Sequence, residues 1–187
     1  MFYCSTTPRY KCFKILIKVF LYLKVLCVSM DSELSKALDF VDFSDICRGC
    51  SVNCCKRFYA VLLPEEENRF KEYAFTVKTP IGDVKAIGAK DGRPCPFLDS
   101  FGRCSIYLYR SFDCRLWPII VYYDFNTDEK VVYLDLECPA AASGRISDNF
   151  IKSVVELIKR CRIDKEWLKR YTLAPWPNNL KEITRFK

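Results

Sequence analysis

The residues of this sequence that are best suited to carry out chemistry are its twelve cysteines. Four of them lie in one short run, which reads Cys47-Arg48-Gly49-Cys50-Ser51-Val52-Asn53-Cys54-Cys55. A C-x2-C spacing lets two sulfur atoms converge on one metal ion while the backbone folds back, and Gly49 permits the tight turn that this requires. The run therefore predicts that thiolates of this segment bind a metal ion or a cluster.

A second group of cysteines follows later in the chain, and proline comes directly after two of its members, as it often does in ferredoxin-type ligand runs. With the first run it gives eight candidate cofactor- and metal-binding residues, Cys47, Cys50, Cys54, Cys55, Cys95, Cys104, Cys114 and Cys138. Cys161 shares an apolar helical face with Leu157 and Ile158 and is interpreted as a core residue. The other three cysteines fall within residues 1–29.

These eight candidate ligands allow more than one arrangement. Two centres of four thiolates each are the economical interpretation, and one cluster with spare or catalytic thiols is the alternative. Cys54 and Cys55 are adjacent, so their side chains tend to point apart and need not bind the same ion. A disulfide framework is disfavoured because the sequence has no credible export signal and is long enough to fold without cross-links.

The spacing leaves the metal open between zinc and iron. Tetrahedral thiolate sites suit either zinc or an iron–sulfur cluster, and four thiolates carry the same net charge around Zn²⁺ as around a [4Fe–4S]²⁺ core. Aromatic residues among the second group of cysteines would shield an oxygen-sensitive cluster from water, which favours iron. Basic residues near the motifs could offset the negative charge: Arg48, Lys56, Arg103, Arg110 and Arg115.

The composition excludes several enzyme classes. The sequence has no histidine and only six glycines. A Ser-His-Asp or Cys-His arrangement, a histidine-ligated zinc and a Rieske centre all need histidine, and the glycine-rich nucleotide loops are absent. Whether the protein is an enzyme stays open, because four carboxylates near the cysteines are candidates for acid–base work: Asp99, Asp113, Asp124 and Glu137.

The positive charge of the chain is concentrated at its N-terminal end. The net charge is +7, and residues 1–29 hold five Lys and Arg with no acidic residue, which leaves +2 for the remainder. That near-neutral remainder predicts no nucleic-acid partner. Lysines interrupt the apolar stretch 13–28. Its longest uninterrupted apolar run is therefore far too short to cross a bilayer, and no transmembrane segment is expected.

The same terminal segment suggests how the chain is divided. Met30 directly precedes a well-formed helix start, so residues 1–29 are interpreted as an upstream extension from a misassigned start codon. A basic helix lying on a membrane surface is the alternative for this segment. Residues 30–171 are then a single cysteine-cluster domain, residues 172–187 are a C-terminal arm, and the expected location is cytoplasmic.

The apolar pattern predicts short strands with flanking helices. Helices are expected from Asp31, over 65–74 after Pro64, over 149–162 and over 165–171 after an Asp164 cap. Strands are expected at 58–63, 75–78, 84–87, 119–124 and 131–136, with a short pair formed by 97–98 and 104–107. The predicted fold class is therefore α+β, a small cysteine-rich domain whose antiparallel hairpins and flanking helices are organised around metal or cluster sites.

On these motifs the sequence resembles the CxxCxxCC family, also called YkgJ-type cysteine-cluster proteins, which are described as zinc- or iron-chelating. The resemblance spans residues 47–139 and departs from the family pattern in two places. Three residues separate Cys50 from Cys54, and Ser111 follows Arg110 where the family favours proline. The residues that carry the resemblance are the run ending in Cys54-Cys55, then Cys95-Pro96-Phe97-Leu98, Cys104-Ser105-Ile106-Tyr107, and Cys114-Arg115 ahead of Pro118.

The resemblance implies metal or cluster binding, and because the family includes a flagellin lysine N-methylase it also implies protein-lysine methylation as one activity. The expected function is that of a cytoplasmic iron–sulfur protein with two [4Fe–4S] centres, acting in electron transfer or as a cluster-dependent protein-modifying factor. The alternative is a zinc-binding structural or interaction module with four-cysteine sites. The expected partner is a protein substrate or a redox partner.

Overall fold

The structure is a computed structural model that describes residue 47, residues 50–176 and residues 179–187. The helix expected from Asp31 and the interpretation of residues 1–29 lie outside these residues. The helices are α1 (Cys54–Arg57), α2 (Phe112–Leu116), α3 (Pro139–Ala142), α4 (Asp148–Arg160) and α5 (Lys165–Thr172). The strands are β1 (Tyr59–Val61), β2 (Phe75–Val77), β3 (Val84–Gly88), β4 (Ile119–Asp124), β5 (Glu129–Asp135) and β6 (Leu180–Phe186).

Two small antiparallel sheets form the framework. The first has the strand order β1-β3-β2 and the second the order β4-β5-β6, with an irregularity in β5 between Val132 and Tyr133. Gly88 ends β3 at a left-handed φ of 128°, where a Cβ atom would lie 2.7 Å from the Cα atom of Tyr59. The approach of β1 to β3 at this point therefore requires glycine.

Among the described residues, the two longest helices, α4 and α5, begin with side-chain caps. The Ser147 hydroxyl accepts a hydrogen bond from the Phe150 N–H at 3.3 Å, and the Asp164 carboxylate accepts one from the Trp167 N–H at 2.6 Å. Each cap satisfies a backbone donor that has no partner within the helix. Both helices bury an apolar face, and α5 packs on β4. No helix within the described residues is both long and apolar enough to cross a membrane.

The predicted α+β class is confirmed, and so are the hairpins β2–β3 and β4–β5 and the helices α4 and α5. The helix expected over 65–74 is wrong: a short 3₁₀ turn at Pro64–Glu66 is followed by irregular turns. The expected pairing of 97–98 with 104–107 is reduced to a single bridge between Leu98 and Cys104. Within the segment interpreted as a C-terminal arm, β6 pairs with β5.

The misprediction over 65–74 has a physical cause in the side chain of Glu66. This side chain is buried, and its carboxylate accepts hydrogen bonds from the Phe112 N–H at 2.8 Å and from the Leu63 N–H at 3.2 Å. A regular helix starting at Pro64 would be expected to leave such a charged side chain in water. The long-range hydrogen bond from the Phe112 N–H of α2 therefore overrides the local helical pattern.

A second buried carboxylate, that of Asp113 in α2, joins distant parts of the chain. It accepts hydrogen bonds from the Val61 N–H of β1 and from the Tyr171 hydroxyl of α5, both at 2.8 Å. A further long-range bond runs from the Trp167 Nε1–H to the Leu62 carbonyl at 2.9 Å. These bonds attach α2 and α5 to β1 and so fix the frame around the cysteines.

We predict that Asp113→Ala lowers the free energy of unfolding by about 2–3 kcal/mol, because it leaves the Val61 N–H and the Tyr171 hydroxyl without partners in the interior. Asp83→Ala is the matched control: it removes only an exposed ion pair with Lys78 and should change stability by less than about 0.5 kcal/mol. Urea unfolding at equal metal content measures both variants. Equal effects of the two substitutions would contradict the role assigned to Asp113.

Candidate metal centre

One cavity of about 180 Å³ brings the predicted ligands together. Its walls include every one of the eight candidate cysteines, which come from four separate parts of the chain: Cys47, Cys50, Cys54, Cys55, Cys95, Cys104, Cys114 and Cys138. All eight thiols are free of disulfide bonds. The sequence motifs, which span nearly a hundred positions, thus meet at one place in the fold.

The first run of cysteines is shaped by two tight turns. The Cys50 N–H donates to the Cys47 carbonyl at 3.1 Å, which closes the C-x2-C turn. Asn53 then has a left-handed φ of 42° and precedes α1, in which Cys54 and Cys55 are the first two residues. Successive side chains of an α-helix point about 100° apart, so the two adjacent sulfur atoms face different parts of the cavity.

Cys95 is held directly against the first run. Its N–H donates to the Cys55 carbonyl at 2.7 Å, and its own carbonyl accepts from the Leu98 N–H at 3.0 Å. Cys104 returns to the same place through its bridge to Leu98. The intervening loop is fixed by Asp99, whose carboxylate accepts from two backbone N–H groups, so Asp99 has a structural role.

The last two candidate cysteines flank the β4–β5 hairpin: in the sequence, Cys114 precedes β4 and Cys138 follows β5. Cys114 lies within α2 and packs against the apolar cluster beneath the first sheet. Cys138 follows β5 and caps α3, where its carbonyl accepts from the Ala142 N–H at 2.9 Å. Close to it, Glu137 lies 3.6 Å from Arg57 of α1, so this part of the chain lies near the helix that carries Cys54.

Apolar and basic side chains complete the cavity wall. Phe58, Phe97 and Trp117 line it together with the cysteines, and such rings exclude water from bound metal. Arg103 and Arg110 also line it and can offset thiolate charge, as the sequence suggested. Arg115 instead lies 3.9 Å from Glu66 and is not among the lining residues, and Arg48 lies outside the described residues.

The pKa of the Cys54 thiol responds to the charges of three other cysteines. Burial, which has the largest effect, and the negative charges of Cys138, Cys47 and Cys50 together raise the pKa of the Cys54 thiol to about 12. Like charges act on one another in this way only when they are close in a poorly solvated place. Cys54 thus shares its surroundings with the thiols of Cys47, Cys50 and Cys138.

Cys55 has a different set of neighbours. A hydrogen bond between the thiols of Cys55 and Cys95 raises the pKa of Cys55 and lowers that of Cys95 to about 7. Burial and the charges of Cys114, Cys95 and Cys104 raise the pKa of Cys55 as well. Burial also raises the pKa of Cys104, and that of Cys114 to about 12.

The donor chemistry of the cavity fits a thiolate-bound metal or cluster. Eight cysteine thiols line it, and two basic side chains can compensate their charge on deprotonation. Because most of the resolved thiol pKa values are raised, metal binding has to release protons, which makes the affinity for metal increase with pH. Among residues 47, 50–176 and 179–187, no group of three or more His, Cys, Asp or Glu side chains is gathered closely enough to hold a metal ion.

The remaining residues that the sequence pointed to differ in their position relative to the cavity. Cys161 directly follows α4, is half-buried and does not line the cavity. Asp124 lies at the end of β4, where it pairs with Arg185. Asp113 does line the cavity but is engaged by Val61 and Tyr171, and this role was not predicted because its partners are far away in sequence.

We predict that, in metal-free reduced protein at pH 7, iodoacetamide labels Cys95 at least about tenfold faster than Cys54 or Cys114, because the thiolate is the reactive form. Cys95, with a pKa of about 7, is then about half ionised. Its labelling rate should rise from pH 6 and level off above pH 8, whereas Cys54 and Cys114 should stay slow throughout. Peptide mass spectrometry measures each rate, and equal rates for the three would contradict the assigned ionisation.

Comparison with protein-family models gives a match. The sequence model of the CxxCxxCC family, described as a "putative zinc- or iron-chelating domain", matches residues 46–139. No curated protein and no solved structure gives a match. The matched range begins just before Cys47 and ends just after Cys138, so it contains all eight cavity cysteines and half of the chain. The chain therefore belongs to the CxxCxxCC family, a family of metal-chelating domains.

Proposed function

We propose that this protein is a cytoplasmic iron–sulfur protein in which eight cysteines hold two [4Fe–4S] centres. The observation that carries the proposal is the cavity that all eight cysteines line together. Membership of a family of zinc- or iron-chelating domains supports metal binding in general. A bound [4Fe–4S] cluster supplies one-electron redox chemistry, and the protein sets its potential through ligands, charge and shielding.

The first proposed centre uses Cys47, Cys50, Cys54 and Cys138. Its support is the electrostatic effect that the other three thiols exert on Cys54. The Arg57–Glu137 ion pair is consistent with it, because it joins residues next to Cys138 and Cys54 and so shows that the two segments lie close together. The C-x2-C turn contributes two of the four ligands from one short loop, as thiolate sites commonly do.

The second proposed centre uses Cys55, Cys95, Cys104 and Cys114. Its support is the thiol–thiol hydrogen bond between Cys55 and Cys95, together with the effect of Cys104 and Cys114 on the pKa of Cys55. The backbone bond from Cys95 to the Cys55 carbonyl fixes that pair independently of the side chains. On this assignment the adjacent Cys54 and Cys55 serve different centres, which is consistent with their divergent directions on a helix.

Iron is favoured over zinc by the character of the cavity. A four-iron cluster is several times larger than a single ion, and it gains more from the aromatic wall of Phe58, Phe97 and Trp117, which excludes water and oxygen. The alternative is a zinc-binding structural or interaction module, because two sets of four thiols also suit tetrahedral zinc. The metal content of the purified protein decides between the two.

A protein partner is favoured by the surface next to the cavity. Phe101, Leu108 and Tyr109 are between 68% and 75% exposed, and they lie on the segment that supplies Cys104. Arg103 and Arg110, neighbours of these residues, line the cavity itself. An apolar patch with basic neighbours suits an acidic partner protein, either a redox partner in electron transfer or the substrate of a cluster-dependent modification such as lysine methylation.

We predict that protein purified without oxygen is brown, with broad absorption near ~400 nm and about eight iron and eight sulfide per chain. Metal and sulfide analysis of the full chain measures this. About four iron per chain would favour a single cluster with spare thiols. A colourless protein that holds stoichiometric zinc after growth with abundant iron would establish the zinc module instead.

We predict that Cys54→Ser and Cys55→Ser deplete different centres, because each removes one ligand from a separate set of four and serine is a poor ligand for iron. Mössbauer or EPR spectra of the two variants should then show distinct residual signals. Cys161→Ser is the matched control, since it lies outside the cavity, and it should retain full iron content. Identical residual spectra for the adjacent pair would argue against two centres.

A further inference from the structure

A second cavity, of about 320 Å³, adjoins the cysteine cavity and contains no cysteine. Its walls are four aromatic rings, those of Phe58, Tyr59, Trp117 and Trp176, with Arg57 and Glu137 also lining it. Three of these rings, all but Trp176, also line the cysteine cavity. The two cavities therefore share an aromatic wall, and the second is of a size that accepts a small ligand or a side chain.

The aromatic walls of this pocket are fixed by contacts of their own. The Tyr59 hydroxyl donates to the Pro175 carbonyl at 3.1 Å, and the Trp176 Nε1–H donates to the Tyr171 carbonyl at 2.5 Å. The ring centroids of Tyr59 and Trp176 lie 5.7 Å apart, and those of Phe58 and Trp117 lie 5.4 Å apart. A ligand therefore meets rings that are already positioned.

The charge distribution of the pocket favours a cation. The faces of aromatic rings carry negative electrostatic potential, and the Glu137 carboxylate adds a formal negative charge. The contacts of Arg57 illustrate how the pocket holds a cation. Its guanidinium carbon lies 5.0 Å from the centroid of the Phe58 ring, and its Nη2 lies 3.6 Å from Glu137 Oε2. Half of the Arg57 side chain is exposed, so its ion pair is weak and an incoming cation can displace it.

We propose that this pocket binds an organic cation, an alkylated ammonium group, with the rings of Tyr59, Trp117 and Trp176 around it and Glu137 as its counter-ion. Methylated ammonium groups suit such a cage because they are bulky and weakly hydrated, so they lose little on entering it and gain cation–π attraction. An anion would face the negative ring faces and Glu137, against the single positive charge that Arg57 contributes to the lining. No cysteine contributes to the pocket, so the inference holds whether the adjoining cavity binds iron or zinc.

Choline and its neutral carbon isostere 3,3-dimethyl-1-butanol test the proposal on the metal-loaded full chain. Because the two probes have the same shape and differ in charge, choline should bind at least about tenfold more tightly than the isostere. Calorimetry measures both affinities, and Trp117 and Trp176 provide a fluorescence signal from within the pocket. Absence of choline binding up to about 50 mM, or equal affinity for both probes, would overturn the proposal.

Substitutions of Arg57 and Glu137, which lie outside the core, test whether the pocket prefers a positively or a negatively charged ligand. Glu137→Gln should weaken choline binding about tenfold, whereas Arg57→Gln should leave it unchanged or strengthen it by removing the internal competitor. The reverse pattern would show that the pocket prefers an anion and that the proposal is wrong.

A pair of aromatic substitutions tests the role of the rings. Trp176→Leu should weaken choline binding about tenfold, because leucine keeps the wall apolar but removes a π face. Phe125→Leu is the matched control, since it replaces a half-exposed ring outside the pocket, and it should bind choline as the wild type does. Thermal unfolding of both variants checks that they are folded. Unchanged binding by a folded Trp176→Leu variant would rule out the cage.

Discussion

The buried carboxylate of Asp113 is the point on which the arrangement of the site depends. It accepts hydrogen bonds from β1 and from α5, and it belongs to the same short helix as Cys114. Since β1 directly follows the helix that carries Cys54 and Cys55, this one side chain sets the position of the first cysteine run relative to Cys114. Glu66 reinforces the frame by accepting from the Phe112 N–H at the start of that helix. Two carboxylates thus orient a helix of five residues that could not be stable alone.

Keeping these carboxylates in the interior opposes their ionisation, and the structure shows how that is offset. Burial raises the pKa of Asp113 to about 7, while its hydrogen bonds from Tyr171 and Val61 act in the opposite direction. Burial likewise raises the pKa of Glu66, against two backbone donors and the nearby charges of Arg69 and Arg115. Each group is therefore surrounded by donors rather than by apolar atoms alone, as buried polar groups must be. The frame around the cysteines is specified by directional bonds, and apolar packing fills the space between them.

Local sequence features predicted those elements whose cause is local. The β4–β5 hairpin follows from two alternating apolar runs around Asn126, and α5 follows from its Asp164 cap and apolar face. The helix over 65–74 was wrong because a long-range bond to Phe112 decides the conformation of Glu66. At the site, the spacing of the cysteines identified the candidate ligands. No local sequence feature indicated that all eight share one cavity or that Asp113 supports it. Such features depend on partners that lie about fifty residues apart, which periodicity and caps do not encode.

The aromatic pocket shows the same limit and links the two cavities physically. Arg57, Glu137 and Trp176 come from three distant segments, so no motif of this sequence could have placed them together. Arg57 is in the same helix as Cys54, and Glu137 immediately precedes Cys138. A cation that separates Arg57 from Glu137 would therefore act on the two backbone segments that carry these cysteines, and it would add a positive charge behind the shared wall of Phe58, Tyr59 and Trp117. On the proposed iron–sulfur assignment, this nearby positive charge would stabilise the reduced, more negative state of the cluster, so that occupancy of the pocket and the redox state of that centre would influence each other.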